Sequence, residues 1–233
     1  MISDRELMQI QVRALYRHDD RDRLLSVNES GDPPAPRLFL GRTLAGHVWR
    51  FRHDLPEPLV AELEALLATE PVATDLSQPP RRLEALQAAL ARDAPLAEMW
   101  SGPAWHFPDE LPTFDLDVVR ITPVDADLVR PVFPILADDL PWCQPCLAII
   151  QDGGLASLCF SSRNTSAAAE AGANTLEEYR GRGYAPAVVA AWARAVRLEG
   201  RIPLYSTSWD NLPSQSVARK LGLVLYGVDL SIA

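Results

Sequence analysis

Two glycines and two arginines lie close together in the stretch "EEYRGRGYA", just before a segment with helical periodicity. Glycine permits a tight turn with positive φ and lets a ligand approach the main chain closely. The first amide groups of a helix lack partners inside the helix, and the helix dipole adds positive potential there. The stretch therefore predicts a seat for an anion such as a phosphate, to which Arg180 and Arg182 add charge.

The alternative for this stretch is a solvated basic turn. The stretch is not a Walker A loop, because no Gly-Lys-Ser/Thr follows, and it does not complete a GxGxxG dinucleotide fingerprint. It is also unlike an RNA-binding RGG tract, because it is not repeated. On these residues alone, phosphate binding and a surface turn both stay open.

The segments around the stretch predict the elements that would position it. "CLAIIQDGGLASLCFSSR" predicts a hairpin around Asp152-Gly153-Gly154, and "AAEAGANTL" predicts a further strand. "YAPAVVAAWARAVRLEG" predicts an amphipathic helix that ends at Gly200, because apolar residues recur on one face. A strand, a helix and a last strand are predicted in "RIPLYSTSW", "DNLPSQSVARKLG" and "LVLYGVDLSI". The glycine stretch would thus join a strand to a helix.

The first half of the chain is predicted to form a smaller α/β module. It begins with a polar helix and the breaker cluster "ESGDPPAPR", followed by a strand in "RLFLGRTLAGHVWRFR" and helices in "PEPLVAELEALLATEP" and around Leu86. The Pro- and Gly-rich run "WSGPAWHFPDELPTFD" predicts a boundary between residues 1–115 and 116–233. Beyond it, "DVVRITP" predicts a short strand, and helical pieces follow that are broken by Pro131 and Pro134.

Residues 116–233 resemble the GCN5-related N-acetyltransferase (GNAT) family. The family's motif Arg/Gln-x-x-Gly-x-Gly/Ala is matched by Arg180, Gly183 and Ala185. Its Asn-led helix, which ends in Lys-x-Gly-aliphatic, looks like "NLPSQSVARKLGL" from Asn211 onward. The resemblance implies an α/β (α+β) fold in which a mixed sheet with splayed central strands is flanked by helices, beside the smaller N-terminal α/β module.

The resemblance further implies that acetyl-CoA is the co-substrate. Its pyrophosphate would bind main-chain amides of the glycine loop, and its pantetheine arm would run between the preceding strand and the Asn-led helix. The residues assigned to this site by the resemblance are Ala173, Thr175, Arg180, Gly181, Arg182, Gly183, Tyr184, Ala185, Asn211 and Ser214. For Asn211 a helix cap is the alternative role, because "SWDN" is a good capping sequence, and the two roles can coexist.

The reaction implied by the resemblance is direct attack of a primary amine, on a small molecule or a peptide, on the acetyl-CoA thioester. Glu170 is the candidate general base, and the alternative is a half-exposed carboxylate that only aids solubility. The tyrosine that serves many relatives as general acid falls on Ala218. The acid is therefore missing, replaced by water, or supplied by Ser216, Tyr205 or Tyr226. The missing tyrosine motivates an alternative function, a non-catalytic acyl-CoA-binding regulatory protein.

Composition narrows the remaining functional classes. The formal net charge of -9 argues against partners such as nucleic acid or an anionic membrane, because like charges repel, and suits an amine substrate. The N-terminus lacks the apolar core of a signal peptide, so a cytoplasmic location is expected. "CQPC" has no second Cys or His pair that would complete a zinc site, so no metal is expected. The acceptor, the acyl chain and a homodimer stay open.

Overall fold

The computed structural model of the protein describes residues 2–233, and these residues form two compact units. Unit 1 contains the chain up to Ala104 together with Thr207–Asp210 and Leu225–Ala233. Unit 2 contains Trp105–Ser206 and Asn211–Val224. The division of the sequence into domains at residues 1–115 and 116–233 stays a prediction. The two units show in addition that short segments late in the chain pack with its N-terminal part.

Helices and strands come in short runs over most of the chain and alternate singly from residue 168 onward. The helices are α1 (Asp4–Leu15), α2 (Glu57–Ala68), α3 (Leu83–Asp93), α4 (Ala126–Val129), α5 (Pro134–Asp139), α6 (Tyr184–Leu198) and α7 (Leu212–Lys220). The strands are β1 (Tyr16–His18), β2 (Leu24–Val27), β3 (Leu38–Thr43), β4 (Gly46–Phe51), β5 (Met99–His106), β6 (Val119–Ile121), β7 (Cys146–Gln151), β8 (Gly154–Asn164), β9 (Ala168–Thr175), β10 (Ile202–Ser206) and β11 (Val224–Ile232). Of the described residues, no helix is both long enough and apolar enough to cross a membrane.

Unit 1 packs helices against a sheet. Helix α1 begins with a capping box, in which the Ser3 hydroxyl accepts a hydrogen bond from the Glu6 amide and the Glu6 carboxylate accepts one from the Ser3 amide. The strand order in this unit is β4-β3-β11-β5. Strands β3 and β11 are antiparallel, with Leu40 opposite Leu230. A buried apolar cluster joins these strands to α2 and α3 and forms the core.

One secondary-structure prediction needs correction, and two further strand features were not predicted. The run predicted as one strand at residues 37–52 is the hairpin β3–β4, because the chain turns between Thr43 and Gly46. The run predicted as a boundary begins with strand β5, despite its Gly102 and Pro103. A Cβ at Gly102 would stand 1.8 Å from the Thr207 carbonyl oxygen, so glycine permits close backbone packing there. The segment after α1 also holds the small hairpin β1–β2.

Unit 2 contains the predicted hairpin and the predicted strand order. Strands β6 to β9 pair antiparallel in sequence, and β10 joins β9 in parallel, so the pairing is mixed. Asp152 and Gly153 both have positive φ, of 53° and 77°, which is the geometry of a two-residue hairpin turn between β7 and β8. The hairpin prediction is therefore confirmed.

Helices cover both faces of the strands in unit 2. One apolar cluster joins α6 and α7 to one face through residues such as Trp192, Tyr205 and Ala218. A second cluster joins α4 and α5 to the other face around Ile121 and Leu140. The predicted helix α6 is confirmed and ends near Gly200, whose φ is 76°. The mixed α+β fold with helices on both faces is as the sequence predicted.

Candidate functional site

Strands β9 and β10 part after a short parallel ladder. Three residue pairs are in register, and the last of them is Leu204 opposite Glu170. Both strands then continue without further pairing to each other, β9 to Thr175 and β10 to Ser206. The strands predicted to splay are therefore paired to each other only at their beginnings.

The main-chain direction of β9 determines which residues face this opening. The Ile202 amide donates to the Ala167 carbonyl across the ladder at 2.9 Å, whereas the Leu176 amide donates to Ala156 on the opposite side at 3.0 Å. Because main-chain groups alternate in direction along a strand, odd-numbered residues of β9 turn theirs toward β10. Ala173 and Thr175 therefore direct their N-H and C=O groups to the edge that β10 no longer covers.

The glycine loop leads from β9 into the N-terminus of α6. Gly181 and Gly183 have φ of 79° and 82°, a region that favours glycine, and Gly183 is the N-cap of α6. No side chain caps this helix end, and Pro186 contributes no amide. Apart from the glycine itself and its two chain neighbours, no described residue has a heavy atom within 4 Å of a Cβ built on either glycine. The loop therefore presents the amides of residues up to Ala185 beside open space.

Contacts within the loop hold its two arginines. Arg180 Nε donates to the Thr175 carbonyl at 3.4 Å, and Arg182 donates to the Glu178 carbonyl at 3.1 Å. The Arg182 guanidinium also lies 5.2 Å from the centre of the Tyr179 ring, which stacks on Tyr184. Both arginines remain exposed at the mouth of the loop. The two guanidinium groups therefore lie at the loop, with the exposed carboxylates of Glu177 and Glu178 in the turn before it.

Helix α7 brings two further predicted residues to β10. Asn211 is the N-cap of α7, where its side-chain oxygen accepts a hydrogen bond from the Ser214 amide at 3.1 Å. The capping role expected as the alternative for Asn211 is thus present. The Ser214 hydroxyl lies 2.7 Å from the Tyr205 hydroxyl on β10. Since Tyr184, Tyr205 and Ala218 share one apolar cluster, the glycine loop, β10 and α7 converge in unit 2.

Glu170 lies where the two strands begin to part. Its neighbours Ala169 and Ala171 pack toward α6, so alternation along β9 points the Glu170 side chain to the opposite face. Its side chain is only 4% exposed, which is against the alternative of a half-exposed carboxylate that only aids solubility. The Ser206 hydroxyl donates to Oε1 at 2.8 Å, while buried Oε2 has no hydrogen-bond partner among residues 2–233.

Burial raises the pKa of Glu170 from 4.5 to about 7. The hydroxyl and amide of Ser206 and the positive charge of Arg163 oppose this shift, because each favours the carboxylate. A carboxyl with a pKa near neutrality and a free buried oxygen can accept and return a proton. Sequence reasoning identified Glu170 but not Ser206, which lies 36 positions along the chain and carries no local signal.

The residues considered for the acid role are placed differently. Ala218 is 1% exposed in the apolar cluster and has no hydroxyl. Tyr226 belongs to unit 1, where it hydrogen-bonds Gln11. Tyr205 lies in unit 2, and burial raises its pKa to about 12, so it holds its proton at neutral pH. Tyr205 therefore carries a protonated hydroxyl, paired with that of Ser214, and its ring packs in the apolar cluster that contains Ala218.

Two of the three cysteines, Cys146 and Cys159, are buried and free of disulfides. Burial raises the pKa of Cys146 to about 12 and that of Cys159 well above its ordinary value, so both are thiols. No group of three or more His, Cys, Asp or Glu side chains within residues 2–233 is arranged to hold a metal ion.

Comparison with known protein families gives one match to part of the chain. Residues 146–227 match the family model described as GNAT acetyltransferase. The matched range begins at β7 and contains β9, the glycine loop, α6, β10 and α7. Residues 146–227, within the C-terminal half of the chain, therefore match a GNAT acetyltransferase domain, as the motif around Arg180 predicted. No curated protein matches the chain.

Solved structures also resemble parts of the chain. A protein assigned to the GNAT family from Novosphingobium aromaticivorans is 18% identical over 59% of this chain and 65% of its own length, with a TM-score of 0.49. A Drosophila protein is 15% identical over 98% of this chain and 86% of its own, also with a TM-score of 0.49. An aminoglycoside N-acetyltransferase solved with CoA is 18% identical over 51% of this chain and 92% of its own, with a TM-score of 0.38. At these scores the likenesses identify no substrate for this chain.

Proposed function

We propose that unit 2 binds acetyl-CoA and transfers its acetyl group to a primary amine of a small molecule or peptide. The observation that carries this proposal is Glu170, a buried carboxyl with one free oxygen at the point where β9 and β10 part. A structural carboxylate would be expected to use both oxygens, because an unpaired buried acceptor costs about 1–3 kcal/mol. A general base needs the second oxygen for the proton it accepts.

The residues around the opening fit acetyl-CoA. Amides from Gly181 to Ala185 and the dipole of α6 suit a pyrophosphate, and the open space at both glycines lets it reach the main chain. The outward main-chain groups of Ala173 and Thr175 suit the amides of a pantetheine arm, which Asn211 and Ser214 would face from α7. The arginines add charge, although main-chain amides would form most of the contacts.

The reaction we propose is direct transfer, with no acyl-enzyme. Glu170 takes a proton from the acceptor ammonium, and the freed nitrogen attacks the thioester carbonyl carbon. The C-N bond forms as the C-S bond breaks, and the nitrogen then releases its second proton to water. The CoA thiolate takes a proton from water or from the Tyr205–Ser214 pair, which regains one from water. Holding the two reactants together would supply much of the rate enhancement. A cytoplasmic location remains a prediction from the sequence, and whether the protein forms a homodimer stays open.

A second function, acyl-CoA binding without catalysis, is favoured by Ala218 at the position of the usual tyrosine. Both functions require CoA binding, which a thermal shift measures: acetyl-CoA at ~100 times its dissociation constant should stabilise the protein by about 2.7 kcal/mol. Release of free thiol across a panel of primary amines then separates them. Turnover with any amine establishes the enzyme, binding without turnover across the panel establishes the second function, and no shift at millimolar acetyl-CoA contradicts both.

A matched pair of glycine variants locates the binding site. Gly183 and Gly200 flank the two ends of α6, have φ of 82° and 76°, and both have free space for a Cβ. Gly183→Ala and Gly200→Ala should therefore lose similar stability, roughly 1–2 kcal/mol. Only Gly183→Ala places a methyl where the phosphate would approach, so it should weaken acetyl-CoA binding at least tenfold, about 1.4 kcal/mol. Calorimetric titration showing equal affinity for both variants would move the pyrophosphate away from this loop.

A further inference from the structure

Ser206 holds one oxygen of Glu170 and leaves the other free. It follows Leu204 by two residues on β10, so its side chain lies on the same face as Glu170, opposite the face of Tyr205. Its hydroxyl donates to Oε1 at 2.8 Å, and its amide also favours the charged carboxylate. Two donors on one residue therefore act on a single carboxyl group.

This arrangement occurs just beyond the last paired residues of the ladder. At Ser206, β10 no longer pairs with β9. The contact between Ser206 and Glu170 is therefore a hydrogen bond between their side chains and not a main-chain hydrogen bond of the sheet. A carboxylate with one oxygen held by a hydrogen bond has lost rotation about its last torsion. The Oε2 atom is then kept in one direction, buried and without a partner in the described chain.

We propose that Ser206 is a positioning residue, which holds Oε1 of Glu170 so that Oε2 is the oxygen that takes the proton from the acceptor ammonium. This inference rests on the proposed function, since it names the proton-accepting atom of that same reaction. The proton leaves the ammonium nitrogen and converts the carboxylate to a neutral carboxylic acid, whose Oε1 still accepts from Ser206. The proton passes on to solvent after the product leaves.

The charged and titratable groups near Glu170 would act on it from other positions. Arg163, on β8, favours the charged carboxylate, and the Tyr205 hydroxyl interacts with it electrostatically from β10. Neither changes when Ser206 is replaced. A shift in the titration of Glu170 on changing Ser206 therefore reports the lost hydrogen bond rather than a change in surrounding charge.

The test compares Ser206→Ala with Ser206→Thr and with Ser161→Ala. Ser161 is also a buried serine, but its hydroxyl accepts from the Trp192 indole on the α6 face, so it serves as a matched control. Losing the Ser206 hydroxyl should raise the pKa of Glu170 by about one unit, because a hydrogen bond to a charged group is lost. The acidic limb of kcat/KM against pH should move up equally, giving about tenfold less activity below pH 7.

Ser206→Thr keeps the hydroxyl, so the acidic limb of its kcat/KM profile should lie at the wild-type pH. Ser161→Ala should also leave this limb at the wild-type pH. A limb unchanged in Ser206→Ala, or moved equally by Ser161→Ala, would overturn the inference. The Glu170 titration is also followed by NMR of 13C-labelled carboxyls, with Glu170→Gln to assign the signal. If wild-type protein acetylates no amine, the proposed function fails, and the NMR titration alone decides whether Ser206 holds the carboxyl: an unshifted signal in Ser206→Ala contradicts it.

Discussion

Two buried glutamates, Glu70 in unit 1 and Glu170 in unit 2, differ in how many of their carboxylate oxygens have hydrogen-bond partners. Glu70 is 7% exposed, and its two oxygens accept hydrogen bonds from the amides of Arg81 and Arg82 at 2.9 and 2.8 Å. Glu170 is 4% exposed and has one oxygen held and one without a partner among residues 2–233. The two carboxyls are therefore both buried but differ in whether both oxygens have hydrogen-bond partners, and the proposed function assigns a role to the one that does not.

The surroundings of the two carboxyls differ in the same way. Glu70 lies near the buried guanidinium of Arg42, which donates to the Gln78 carbonyl and so helps to hold the loop that follows α2. These contacts have an evident structural purpose. Glu170 instead lies on a strand whose parallel partner stops pairing at that residue. The second environment has no comparable purpose in holding the fold together.

The largest effect should come from removing the acidic group of Glu170. In Glu170→Gln the side chain keeps its shape and its contact with Ser206 but cannot accept a proton, so kcat/KM should fall by roughly 10²–10⁴-fold. Thiol release with the best amine of the panel measures it. Glu70→Gln is the control and should keep wild-type kcat/KM. If kcat/KM of Glu170→Gln were within threefold of the wild-type value, Glu170 would not be the general base.

The next effect is on stability against pH. Because the pKa of Glu170 is raised from 4.5 to about 7, the folded state holds a proton there that the unfolded state has released. Its contribution to stability is therefore complete below pH 4.5 and is lost as pH rises through about 7, a loss of about 3 kcal/mol. The free energy of unfolding, measured by urea denaturation, should fall between pH 5 and pH 9 by about 3 kcal/mol more in wild type than in Glu170→Gln. Parallel pH curves for the two proteins would contradict a protonated Glu170.

The smallest effect should be that of Glu70→Gln on stability. The amide group that replaces one carboxylate oxygen places a donor against a main-chain donor, so one buried N-H loses its acceptor, at a cost of about 1–3 kcal/mol. Denaturation at neutral pH measures this cost. An unchanged free energy of unfolding would show that Glu70 does not hold this loop. The structural role assigned to Glu70 would then be wrong.

Local sequence patterns predicted most of unit 2. The apolar stripe of α6, its end near Gly200 and the turn at Asp152 and Gly153 depend on residues close in sequence, and the structure has all of them. In unit 1 the sequence predicted β5 as a break, because Gly102 and Pro103 usually interrupt strands. There the close approach of distant main chain at Thr207 makes glycine suitable.

In the candidate site, too, some features depend on local sequence and others on tertiary packing. The glycine loop and the cap at Asn211 are local in sequence, so their positions could be predicted from motifs. The burial of Glu170 and its bond to Ser206 depend on how β9 and β10 pair, which the sequence of either strand does not specify. The sequence therefore identified the residue that could act as a base, while its free oxygen and its raised pKa depend on tertiary packing.

The division of the chain between the units has a consequence during synthesis. Strand β11 pairs with β3 inside unit 1, yet residues 105–206 of unit 2 are translated between these two strands. At 5–20 residues per second, β3 must wait on the order of ten seconds for its partner, with one edge unpaired. An open strand edge invites pairing with other chains. For a nascent chain of this protein, the N-terminal unit is the later of the two to close, and it is the part that most needs protection on the ribosome.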